Sequence, residues 1–134
     1  MTYYNIGSCY EKTYPYGTIE IPEIIDQKAY LEASNFKINS YAMVNTIIEL
    51  KKALYINGPC LIAFQIYNNS ARLWKPKKGD KSLGGHAMTV VGYNNKGFII
   101  RNSWGPLWEN SGYCIYPYSD WGSHWEIWTT IDAD

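Results

Sequence analysis

Apolar positions along this chain follow two rhythms. Between Thr46 and Ile56 the spacing is helical: Ile47, Leu50 and Leu54 share one face, Thr46-Ile-Ile-Glu49 fits a capping box, and Gly58-Pro59 stops the run. That stripe is expected to be buried, with Glu49, Lys51 and Lys52 left in water. Glu23 to Ser34 predicts a second, shorter helix opening just after Pro22. Elsewhere the rhythm is that of strands: Phe36–Tyr41, Cys60–Tyr67, His86–Tyr93, Phe98–Asn102, Gly112–Pro117 and His124–Ile131. The turn Asn94-Asn-Lys-Gly97 joins two of these into a hairpin, with Gly97 expected to supply a positive φ. The Tyr-rich start, punctuated by Pro15, Gly17 and Pro22, predicts extended backbone and turns rather than a helix. The polar stretch from Asn68 to Gly85, with Lys75-Pro-Lys-Lys-Gly-Asp-Lys81 inside it, predicts a solvated loop. The sum is an α+β domain, one capped helix and minor helical turns against a twisted, mostly antiparallel sheet or small barrel. No repeat or linker divides it, so residues 1–134 read as a single domain.

Composition narrows the function. With 134 residues, 46% of them apolar, the chain can bury one real core and not two, and intrinsic disorder is excluded. Twelve basic side chains balance twelve acidic ones, so neither nucleic acid nor an anionic membrane is an expected partner. No basic region precedes an apolar run at the start, and no segment has the apolar length of a membrane span; the compartment stays open. Thirteen Tyr and six Trp against three Phe put polar tips on most aromatic surface, which favours clefts over a dry core. Trp121, Trp125 and Trp128 either pack with those tips exposed or line a ligand groove. Of the three cysteines, Cys60 and Cys114 lie in strand patterns as small buried hydrophobes, and neither a disulfide framework nor a zinc site has support.

Chemistry enters where the hairpin ends. His86 opens one strand and Asn102 closes its partner, so the two are expected side by side, and an amide can fix an imidazole in one orientation and tautomer. His124 has no such company and is expected at a surface or interface. Around the pair stand Gly85-His86-Ala87-Met-Thr-Val-Val-Gly-Tyr93 and Asn102-Ser103-Trp104-Gly105-Pro-Leu-Trp108-Glu-Asn-Ser-Gly112-Tyr113, in that order and sixteen residues apart from His86 to Asn102. These boxes, with Tyr14-Pro15-Tyr16 and Asn57-Gly58-Pro59 upstream, resemble the papain-like cysteine peptidases from about Glu11 to the C-terminus. The resemblance implies a papain-like fold, here its sheet-rich half, the C-terminal part of a peptidase domain. It implies His86 as general base, Asn102 as its orienter, Trp104 as the indole shielding their hydrogen bond, and Leu83 and Gly84 as wall of the substrate pocket. It implies thiolate–imidazolium hydrolysis of peptide bonds, with no metal or organic cofactor.

The nucleophile departs from that pattern. In the family it heads a long helix, behind a glutamine, upstream of the Tyr-Pro-Tyr region, so the helical half bearing the thiol is expected to be missing here. Gly7-Ser8-Cys9-Tyr10 makes Cys9 a candidate, but Ile6 replaces the preceding cysteine, no glutamine lies upstream, and Pro15 and Pro22 interrupt any following helix. Cys9 also precedes His86 by only 77 residues, where the signature expects roughly 130 or more. Two functions stay open: a cysteine endopeptidase acting on a polypeptide substrate, or an inactive papain-like fragment serving as a binding module or as one part of a split enzyme, completed by a second polypeptide.

Overall fold

The computed structural model describes residues 2–15, 17 and 25–132, and divides the chain into two compact units, residues 1–41 with 130–134 and residues 42–129. In the smaller unit, α1 (Thr2–Asn5) is a single helical turn where none was expected; the nearest proline, Pro15, is too far downstream to forbid it. α2 (Gln27–Ala33) is capped by Asp26, whose carboxylate accepts the Lys28 N–H at 3.0 Å, and it buries Ala29 and Ala33. Glu23 and Ile24, the expected start of that helix, lie outside the described residues. Phe36 is still part of the turn that closes α2, its N–H on the Ala33 carbonyl at 2.9 Å, so β1 (Ile38–Met43) begins two residues later than the alternation suggests.

The larger unit carries the rest. α3 (Ile47–Ile56) shows the capping box in full: Thr46 Oγ1 accepts the Glu49 N–H at 3.1 Å, and the Glu49 carboxylate accepts the Thr46 N–H at 3.0 Å. Leu50 and Ala53 are buried, with Ile47 and Leu54 packed against the core. Lys51 does not stand free in water: it is half-buried, its ammonium 4.4 Å from the centre of the Tyr118 ring and 5.2 Å from that of Tyr93. Among the described residues no helix is long and apolar enough to cross a membrane.

Beside α3 lies an antiparallel sheet, β2 (Cys60–Ile66), β3 (Gly84–Tyr93), β4 (Gly97–Arg101), β5 (Tyr113–Pro117) and β6 (His124–Asp132). β2 runs between β6 and β3, and β4 between β3 and β5. Along β2 the side chains alternate strictly, with Cys60, Ile62, Phe64 and Ile66 buried on one face and Leu61, Ala63 and Gln65 on the other. Phe64, Trp74 and Tyr116 form the aromatic centre of the core, stacked or edge-on with ring centres 4.8 to 5.1 Å apart.

Two details correct the sequence reading. Gly97 is absent from the positive-φ positions; Asn94 makes the hairpin turn by accepting the Lys96 and Gly97 N–H groups on its own side chain, at 2.8 and 3.2 Å. Glycine is needed at 97 because a Cβ there would stand 2.2 Å from the Tyr116 carbonyl oxygen. The loop between β2 and β3 is not uniformly solvated either. Leu73 and Trp74 plug the core, and Asp120, in the 3-10 turn Tyr118–Asp120, accepts the Arg72 Nε–H at 2.8 Å, the Trp74 indole N–H at 2.9 Å and the Lys75 ammonium at 2.7 Å.

Gly97→Ala should therefore cost about 1–3 kcal/mol of stability through overpacking, read by urea unfolding. Asp120 gives a pH signature. Burial pushes its carboxyl up, but the hydrogen bonds from Arg72, Lys75 and Trp74 outweigh burial and hold it at about 2. A depressed carboxyl contributes stability that is fully present above the ordinary range near 4 and is lost as the pH falls through about 2. Between about pH 5 and pH 2 the parent chain should lose about 2 kcal/mol more than Asp120→Asn, measured by unfolding titrations at each pH.

Candidate functional site

His86 and Asn102 meet, but not as direct ladder partners. The last β3–β4 pair is Thr89 with Arg101, and beyond it the Asn102 N–H turns away to the Gly112 carbonyl at 2.9 Å. The Asn102 side chain reaches diagonally past Met88 to His86, a contact that the spacing of strand neighbours allows. Asn102 Oδ1 lies 2.8 Å from His86 Nε2 and also accepts the Ser103 N–H at 2.8 Å. A carbonyl oxygen only accepts, so it holds the proton on Nε2 and leaves Nδ1 as the ring's basic nitrogen. Asn102 is 5% exposed, so water competes poorly for this bond.

Above the pair lie two indoles. Trp104 stacks on the His86 ring, centres 4.8 Å apart and planes 21° from parallel, and remains 39% exposed on its outer side. Trp108 meets Trp104 edge-on at 5.7 Å and donates its indole N–H to the Asn69 carbonyl at 2.7 Å. The family resemblance implied the Trp104 shield and placed Trp108 in the same box, whereas the Asn69 anchor had no sequence signal. Beneath Asn102 a cleft of about 540 Å³ opens between Leu61, Thr89, Arg101 and Tyr113. Asn102 lines it, while its Nδ2 is buried from solvent and has no hydrogen-bond partner among the described residues.

His124 is not a surface histidine: it is half-buried, Nδ1 2.9 Å from the Tyr116 hydroxyl and its ring 4.7 Å from that of Trp121, and burial lowers its pKa. Trp121 packs against the core, and exposed Trp125 covers Gly85, where a Cβ would come within 2.5 Å of the indole. Leu83 is exposed next to Gly84, the first residue of β3. Cys60 and Cys114 are 1% and 6% exposed; burial raises both thiols, Cys114 to about 12 with Glu109 adding to it. Cys9 belongs to the smaller unit, half-buried and following the one-turn α1 rather than heading a helix.

This arrangement is the papain-like fold. Xylellain, a cysteine protease from Xylella fastidiosa, matches with TM-score 0.80 at 28% identity over 99% of this chain and 59% of its own. Procathepsin B S9 from Trypanosoma congolense matches with TM-score 0.68 at 19% identity, covering 99% of this chain and 51% of its own. The chain belongs to the papain family of cysteine proteases, whose family model matches residues 1–125. An uncharacterized peptidase C1-like protein of Acanthamoeba polyphaga mimivirus is 30% identical over 131 residues, 84% of this chain and 42% of that protein. A gut-specific cysteine proteinase of Caenorhabditis elegans is 30% identical over 95 residues, 63% of this chain and 28% of that protein. The chain thus spans less than half the length of these two relatives.

Burial separates the thiols into two kinds. In the native chain a charged disulfide reagent such as Ellman's should titrate Cys9 and leave Cys60 and Cys114 unreacted; denaturant should release all three, as read by absorbance.

Proposed function

We propose that this chain supplies the base and its orienter to a cysteine-type endopeptidase, with His86 as general base and imidazolium partner of a thiolate and Asn102 as the group that orients it. The observation that carries the reading is the part-buried Nε2–Oδ1 hydrogen bond beside the Trp104 indole, which leaves Nδ1 as the nitrogen to exchange a proton with a thiol. A thiolate stabilised by the protonated ring attacks a peptide carbonyl and forms the tetrahedral adduct. His86 then gives its proton to the leaving amine as the C–N bond breaks. Water, deprotonated by His86, cleaves the thioester and restores the thiol. Membership of the papain family supports the same chemistry.

Two sources of the thiol are compatible with this role, Cys9 or a cysteine on a further stretch of polypeptide that seats against this one. The second is favoured because Cys9 follows the one-turn α1 and heads no helix, and because the cleft lined by Asn102 has room for a further segment. As an inactive binding module the chain would use that same cleft and have no need of the histidine's proton.

The test combines intact-mass analysis with an epoxysuccinyl thiol-peptidase probe and turnover of a fluorogenic peptide. The chain is assayed alone and after joining to a cysteine-bearing helical segment from a papain-family relative. Adduct on Cys9 that disappears in His86→Ala assigns the nucleophile to Cys9. Turnover only after joining assigns it to the added segment. In either case His86→Ala should lower kcat/KM by about 10²–10⁴-fold or more, and Asn102→Ala should leave a weakened enzyme. Turnover that both substitutions leave intact, or no adduct and no turnover in any format, overturns the peptidase reading.

A further inference from the structure

Asp120 is far from His86 in the sequence and has no place in the peptidase chemistry, yet its surroundings lead back to the histidine. Its side chain is fully buried, and three donors from one short loop converge on it: both arms of the Arg72 guanidinium, the Lys75 ammonium and the Trp74 indole N–H. Arg72 and Lys75 are themselves about half exposed, at 46% and 47% of their side chains. Their charges are therefore drawn inward from water to one point. The same loop is closed on itself by Tyr67 N–H to Leu73 carbonyl at 2.9 Å and by Asn68 Nδ2 to the Lys75 carbonyl at 3.1 Å. Between these closures sits Asn69, whose carbonyl accepts the Trp108 indole N–H at 2.7 Å. Trp108 stands edge-on to Trp104, and Trp104 lies on His86.

From this chain of contacts we infer that Asp120 is a positioning residue for His86: by fixing the loop that presents the Asn69 carbonyl, it holds Trp108, and through Trp108 keeps Trp104 stacked on the imidazole. The inference rests on the proposed role of His86 only for its effect on turnover; the geometric part concerns this chain as it stands. A carboxylate suits the task where an apolar side chain would not. Two oxygens fix the direction of three separate donors, whereas a leucine in the same space would fill the core and leave the loop free to shift. A shift of about 1 Å at Asn69 breaks a 2.7 Å hydrogen bond.

The measurement is the NMR shift of the His86 Cε1 proton, moved upfield by the Trp104 ring, with its cross-peaks to the Trp104 indole, assigned against His86→Ala. Asp120→Asn keeps the shape and removes the charge; Arg72→Met leaves Asp120 in place and serves if Asp120→Asn does not fold; Trp108→Phe keeps a ring and removes the indole donor. Each should move the His86 signal toward its unstacked position and weaken the Trp104 cross-peaks. Leu50→Ala, a core substitution outside the loop, should lower stability without moving that signal, so a change in Asp120→Asn is not general loosening. In the joined, active form of the protein, Asp120→Asn should lower kcat about 3- to 10-fold with KM nearly unchanged, and Asp120→Glu should recover part of it. Folded Asp120→Asn or Arg72→Met chains with the parent His86 signal overturn the inference. A shifted signal in a protein that has no turnover overturns the peptidase reading and leaves the positioning intact, and His86-dependent turnover indifferent to Asp120 does the reverse.

Discussion

A buried amide oxygen sets the terms for this molecule. Asn102 Oδ1 accepts both the His86 ring N–H and the Ser103 backbone N–H, and Asn102 itself is buried. Much of the larger unit can be understood as the means of keeping that oxygen where it is. β3 must be long enough to bring His86 past the end of its ladder with β4, and the backbone of Asn102 must leave that ladder for Gly112 so that the side chain can point along the sheet. Neutral hydrogen bonds of this kind contribute only about 1 kcal/mol each to stability. Their value is directional: they choose the tautomer, and the tautomer decides which ring nitrogen is left to handle a proton.

How far the sequence disclosed this depends on the range of each interaction. The α3 cap was legible because Thr46 and Glu49 are three residues apart and need nothing else to recognise each other. The strands were legible where side chains alternate between the two faces, as along β2. The His–Asn pair could be located from its flanking boxes, but not its diagonal geometry, since the offset arises where Asn102 breaks from the ladder. Gly97 was misread because glycine serves both positive φ and close backbone approach, and only the neighbouring β5 shows which one applies. The Asp120 cluster was illegible for a different reason. Its members stand 45 to 48 residues from their acceptor, inside a polar stretch whose composition resembles any solvated loop.

That last misreading shows how charge can mislead. Lys75 opens a lysine-rich segment and is paired with a buried carboxylate, while Lys51, on the outward side of an amphipathic helix, lies over two tyrosine rings. In both cases the long aliphatic stem lets the ammonium reach a partner that helical or loop periodicity does not reveal. The polar tips of the aromatic set behave in the same way. The Trp74 and Trp108 indoles and the Tyr116 and Tyr118 hydroxyls all donate to specific oxygens, at Asp120, Asn69, Asp120 and Asn94 in turn. The excess of Tyr and Trp over Phe is accordingly a set of tethers between core and loops as much as a cleft lining.

Asp120 is where these tethers converge. Its carboxylate gathers Arg72, Trp74 and Lys75, while its own backbone carbonyl accepts the Tyr116 hydroxyl at 2.8 Å, so one residue joins the loop, the aromatic core and the turn before β6. Burying a charge for stability alone is a weak strategy, because desolvation consumes most of what pairing returns. It is a strong strategy for fixing a loop in one register, because every displacement of the loop must break several charge-assisted bonds at once. The loop so fixed holds Trp108 by a backbone carbonyl, a group that substitution at position 69 would not remove. The rigid part of the site therefore extends from the His–Asn hydrogen bond through two indoles to a carboxylate on the opposite side of the loop, and the order of the imidazole depends on charges that never touch it.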